Sequence, residues 1–161
     1  MAYKRILVPL DGSTTAQAGL KEALKMAASG KGAVRLLHVV DDTLVFRLAD
    51  TGIDPESMLD ELRSYGRQIL QKAEKTASGR AVKVETDLSE SLGLSVADAI
   101  VRAARRWRAD LIVIGTHGRR GMNRLLMGSD AELVLRHASV PVLLVRGATP
   151  VRATRPRVRK R

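Results

Sequence analysis

The chain has 161 residues, 45% apolar and 28% charged, a balance that excludes a disordered polymer and allows one domain with a real core. No cysteine means no disulfide framework, thiolate metal site or cysteine nucleophile, and one Phe, one Trp and two Tyr make no platform for stacking bases. The formal net charge is +11, yet residues 151–161 (VRATRPRVRKR) hold six of the 28 basic residues and no acid, leaving 22 basic against 17 acidic residues elsewhere.

The chain opens MAYKRILVPLDGS. Its apolar run is too short for a signal-peptide core and ends in turn residues, and no stretch of the chain reaches the length of a membrane span. A cytoplasmic protein without membrane attachment is expected. Ile6-Leu7-Val8 reads as a first strand, followed by the turn Pro9-Leu10-Asp11-Gly12-Ser13. Ala16, Leu20, Ala23, Leu24 and Ala27 then share one helical face, with Gly30 as a C-terminal stop.

Val34 to Val40 is a second, nearly continuous apolar run, and residues 41–54 read as an extended loop. Asp54-Pro55 predicts an N-cap with proline at the first helical position. Leu62, Tyr65, Ile69 and Ala73 form the face of that helix, which Gly79 stops. Val82-Lys83-Val84 starts a third strand. Val96, Ile100, Ala103 and Trp107 mark the next helix, and Arg102, Arg105, Arg106 and Arg108 its wet face.

Leu111 to Ile114 is the fourth strand, and it runs into Gly115-Thr116-His117-Gly118-Arg119-Arg120-Gly121. Ser129-Asp130-Ala131-Glu132 fits a capping box for a last helix whose apolar face is Ala131, Val134, Leu135 and Ala138. Val142 to Val145 is the fifth strand. Alternation of strand and helix predicts an α/β fold: a doubly wound five-stranded parallel sheet, order 3-2-1-4-5, with helices on both faces. Residues 1–146 form this domain and residues 147–161 a basic, disordered tail.

In such sheets ligands bind beyond the carboxyl ends of the strands, where the strand order reverses. Glycines at 115, 118, 121 and 128 allow positive φ and close approach of a ligand. A helix opening at Ser129 would point free N–H groups and its positive dipole end at an anion, and Arg119 and Arg120 add charge. Spacing alone leaves open that these glycines only shape a long strand-to-helix connection. Asp11 in D-G-S also fits a turn cap. Neither G-x-x-x-x-G-K-[ST] nor a G-x-G-x-x-G after the first strand is present, so a P-loop and a dinucleotide fingerprint are excluded. His117 reads as a solvated loop residue and His38 as a structural one. No base stands beside Ser13 or Ser129 in sequence to activate either.

Gly115, Gly118, Gly128 and Ser129 match G-x₂-G-x₉-G-[ST] residue for residue. With KRILVPLDGS, LLHVV at 36–40 and HASVPVLLVR at 137–146, the chain resembles the ATP-binding universal stress proteins over about residues 3–146. The resemblance implies ATP as ligand. It implies Pro9, Val39 and Ile114 as the wall around adenine, Asp11 near the adenosine or its ribose, and Gly115, Gly118, Gly128 and Ser129 as the phosphate loop. It also implies a homodimer through the last strand, and a regulatory switch in the stress response.

Two departures stand out. Asp87 to Gly93 replaces the G-x-P frequent after the third strand, and Asp130 stands where an apolar residue is frequent. An aspartate facing the phosphates would call for a divalent cation such as Mg2+. Alternative readings are a slow ATPase or self-phosphorylating enzyme using Mg2+, Asp11 and Ser129 or Thr116, and a dimeric interaction protein without nucleotide. The tail offers weak, salt-sensitive contact with nucleic acid.

Overall fold

The computed structural model describes residues 2–43, 45, 54–116 and 127–147. Five parallel strands, β1 (Arg5–Pro9), β2 (Ala33–Val40), β3 (Lys83–Glu90), β4 (Leu111–Gly115) and β5 (Val142–Val145), form one sheet in the order β3-β2-β1-β4-β5. Four helices that lie wholly within the described residues connect them: α1 (Thr14–Gly30), α2 (Pro55–Ala77), α3 (Val96–Trp107) and α4 (Ser129–His137). The expected fold and strand order are both present. None of the described helices is long and apolar enough to cross a membrane.

Strand alternation divides the core in two. Ile6 and Val8 of β1 and Leu111 and Val113 of β4 meet α1 and α2 through Leu20, Leu24, Ile69 and Ala73. Leu7 and Ile112 point the other way, onto Ile100, Ala103 and Trp107 of α3 and Val134 of α4. Continuous apolar runs in β1 and β4 follow from this two-sided burial. Leu20 and Leu24 are fully buried, each worth roughly 1.5–3 kcal/mol relative to exposure. At the margin β3 is different: Val84 and Leu88 join the α1/α2 side, whereas Glu85 and Asp87 of β3 bond Arg35 of β2 instead.

Helix ends follow local chemistry with two corrections. Ser13, Asp54 and Ser95 cap α1, α2 and α3 with side-chain oxygens that accept first-turn N–H groups, each worth about 1 kcal/mol. Gly79 is left-handed at φ 77°, as a helix stop should be. Gly30, however, is the last residue of α1, and the left-handed position falls on Lys31 at φ 51°. A Cβ on Gly30 would stand 3.0 Å from Ala2 Cβ and 3.1 Å from Tyr3 O, so glycine lets the N-terminal segment pass close by.

The capping box at Ser129 is not formed either: Gly128 is the N-cap, without a side-chain cap bond, and Ser129 is the first helical residue. Gly128 N donates to Thr116 O at 2.8 Å, and this tertiary bond sets where the helix starts. On α4, Ala131 and Val134 are buried but Leu135 is 46% exposed, so the apolar stripe is narrower than its sequence suggests. Tyr65 is likewise 40% exposed at the edge of the α2 face. The extended loop expected at 41–54 is not extended throughout: Thr43 and Val45 are helical, with Val45 N donating to Asp42 O, while residues 44 and 46–53 and the basic tail from 148 lie outside the described residues.

Candidate functional site

The C-terminal ends of β1, β2 and β4 lie side by side, and the strand order reverses between β1 and β4. Pro9 is buried at the end of β1, opposite Leu37 of β2. Two residues beyond Leu37 comes Val39, and Ile114 is the penultimate residue of β4. Val39 and Ile114 both belong to the α3/α4 side, as does Leu7, two positions before Pro9. Strand periodicity therefore puts Pro9, Val39 and Ile114 on one face of three adjacent strand ends.

Above this wall the two turn segments converge. Asp11 Oδ1 accepts the Ser13 N–H at 2.9 Å, Ser13 Oγ accepts the Ala16 N–H at 3.1 Å, and Gly12 between them is left-handed at φ 86°. Asp11 thus holds the turn that opens α1, which is the turn-capping role its sequence allowed. Gly115 at the end of β4 abuts that opening: a Cβ there would be 2.8 Å from the Thr15 carbonyl carbon and 2.9 Å from Ala16 N. Thr116 follows, 6% exposed, its N–H donating to Val145 O and its carbonyl accepting from Gly128 N. That pair of bonds brings the N-terminus of α4 back over the end of β4.

Not every expectation for the glycines holds. Among the described residues the positive-φ glycines are Gly12, Gly79 and Gly93, whereas Gly128 has φ −65°. Glycine at 115 answers to close packing, and at 128 its backbone is one that any residue adopts. Ser129 and Asp130 are exposed in the first turn of α4, where Asp130 and Glu132 favour the positive helix end. Gly118 and Arg119 lie outside the described residues, as do His117, Arg120 and Gly121.

His38 is structural, as expected: it is 8% exposed and its Nδ1–H donates to Leu10 O at 2.7 Å. Gly66 of α2 packs on it so closely that a Cβ would stand 2.5 Å from His38 Cδ2. Sequence reasoning missed one polar arrangement at this end of the sheet. Asp42, 4% exposed, accepts hydrogen bonds from Ser91 Oγ, Leu92 N and Gly93 N. Burial alone would raise the Asp42 pKa, but the bonds from Ser91, Gly93 and Leu92 outweigh it and hold the carboxyl below its ordinary range. Asp41-Asp42 directly after an apolar strand was the available signal.

The model of the universal stress protein family matches residues 2–146. A universal stress protein of Methanocaldococcus jannaschii is 36% identical over 144 residues, covering 89% of this chain and 82% of the relative. A crystal structure of a universal stress protein family member from Burkholderia pseudomallei superposes with TM-score 0.72 at 38% identity, covering 91% of this chain and 98% of that one. A universal stress protein from Archaeoglobus fulgidus in complex with dAMP shares the fold at TM-score 0.64 and 24% identity, over 90% of this chain and 99% of that one.

Proposed function

This chain belongs to the universal stress protein family, and from that premise we propose that it binds ATP at the C-terminal crest of its sheet as a nucleotide-dependent regulatory switch in the stress response. The observation that carries the reading is the bond from Gly128 N to Thr116 O. It returns an N-terminus with no capping side chain to the strand end beside Pro9, Val39 and Ile114. An apolar wall next to a helix N-terminus is what a purine joined to phosphates requires. A protein of this fold solved in complex with dAMP supports the reading.

In the proposed arrangement Pro9, Val39 and Ile114 face adenine, and Asp11 lies toward the ribose. Gly115, Gly118, Gly128 and Ser129 surround the phosphates with Arg119. Asp130, exposed in the first turn of α4, would repel phosphate directly, so Mg2+ between them is part of the proposal. As a switch, ATP acts only through its different affinity for two conformations or surfaces, which a partner then reads. The edge position of β5 in the sheet makes a second copy of the chain the first such partner to consider.

Extraction of the purified protein and chromatography of the extract should yield ATP, ADP or AMP. Added ATP at about 100 times its Kd should stabilise the stripped protein by about 2.7 kcal/mol, raising Tm by roughly 5–10 °C. An empty extract together with an unmoved Tm rejects the reading.

A further inference from the structure

Among the described residues Asp42 is the one carboxylate counted with the buried groups, and it serves a single short connection. Ser91 Oγ donates to it at 2.5 Å, Leu92 N at 2.9 Å and Gly93 N at 3.2 Å. Ser91 is itself fully buried and its N–H donates to Val40 O at 2.9 Å. This clasp fixes the start of the β3–α3 connection against the end of β2.

The conformation held there is unusual. Leu92 and Gly93 are both left-handed, at φ 53° and 75°. Glycine adopts that backbone freely, whereas leucine does so against a steric penalty. Leu92 is also 65% exposed, the most exposed large apolar side chain among the described residues. A lone exposed leucine is ordinary on a protein surface. An exposed leucine in a disfavoured backbone, secured by a buried carboxylate, is not explained by folding, even with Leu94 of the same connection 36% exposed: glycine or asparagine at 92 would make the same turn with less strain.

Its place in the fold supplies a use. β3 is hydrogen-bonded to β2, while α3 packs on the face that carries Leu37 and Val39. The bonds from Ser91 N to Val40 O and from Leu92 N and Gly93 N to Asp42 hold residues 91–93 at the C-terminal end of β2, and Val39 is the residue of the proposed base wall at that end. The sequence here is also where the family's frequent G-x-P is missing.

We propose that Leu92 is the outer wall of the base site, closing on the ring of adenine opposite Val39, and that Asp42 is the positioning residue that holds it there. The inference rests on the nucleotide-binding reading and deepens it. Presetting the backbone at Leu92 in the free protein removes the cost of ordering that turn when the ligand arrives. The Asp42 carboxyl stays ionised at neutral pH, so the clasp is closed where the protein works.

The test sets stability against affinity. Leu92→Gly relieves the left-handed strain, so its Tm should rise by about 2–4 °C, while its Kd for ATP weakens about 5- to 10-fold. Leu92→Met should keep ATP affinity within about twofold, since it restores an apolar side chain of similar size. Asp42→Asn should speed amide hydrogen exchange at Leu92 and Gly93 in the ligand-free protein and weaken ATP to the same degree as Leu92→Gly. Undiminished ATP affinity in Leu92→Gly, with the wild type binding ATP, overturns the wall and leaves the nucleotide reading standing. A wild-type protein that binds no ATP overturns both.

Discussion

Gly115 at the end of β4 and Thr15 in the first turn of α1 are in contact so close that one methyl group at position 115 would stand 2.8 Å from the Thr15 carbonyl carbon. The first glycine of the family spacing is therefore a packing glycine, whatever else it meets. It lets the turn that Asp11 and Ser13 build sit directly on the strand end where α4 also returns. Both loops of the proposed site depend on this one absent side chain.

Gly115→Ala should accordingly destabilise the fold by about 2–3 kcal/mol, because the colliding atoms are backbone and cannot swing aside. Urea denaturation measures it, and an unchanged midpoint would contradict the close approach.

Gly128→Val should behave in the opposite way. With φ at −65° the position accepts a side chain, so stability should fall by no more than about 1 kcal/mol, the worth of an N-cap preference. ATP affinity should fall at least about tenfold as the new side chain takes up space at the helix end. Calorimetric titration of the folded variant decides it: unaltered affinity removes Gly128 from the phosphate loop.

Acid should find a specific weak point at Glu85. Hydrogen bonds from Arg35 at 2.7 Å and then from Lys83 hold its carboxyl down, from an ordinary 4.5 to about 2. A depressed carboxyl stabilises the fold above its unfolded pKa, and this stability is lost as pH falls from 4.5 towards 2. Glu85→Gln should cost on the order of 1 kcal/mol at pH 7, screening included, and flatten the acid limb of a stability–pH curve in that window. The Arg35 guanidinium keeps its seat over the Trp107 ring, 4.8 Å from the centroid, so the variant should stay folded.

Assembly is expected at the other margin of the sheet. β5 is an edge strand of four apolar residues, VLLV, and Leu143 on it is 36% exposed. Such an edge invites pairing with another chain, and two copies around a twofold axis would close it. Light scattering at micromolar concentration should report a dimer, and Leu143→Lys should shift it towards monomer or aggregate. A wild-type protein that remains monomeric as concentration rises would contradict the pairing.

The two-sided apolar runs of β1 and β4, the helical stripes of α1 and α3, and the Asp54-Pro55 start of α2 were all legible in the sequence, because each is a repeat or a cap within a few residues. The glycine and serine spacing after β4 was legible too, as was the family it resembles. Other features were decided only by tertiary structure. The partners of Gly115 lie about 100 residues away, those of Asp42 about 50, and the bond that accompanies an N-cap of α4 at Gly128 instead of Ser129 joins two ends of one long connection. Leu135 shares the spacing of buried residues yet faces solvent, since a nine-residue helix at the sheet margin has apolar cover on one narrow side. Hydrophobic period and capping are local properties, readable from neighbouring residues. Close backbone approach and the burial of a carboxylate exist only after distant segments have packed, and those are the terms that shape the crest of this sheet.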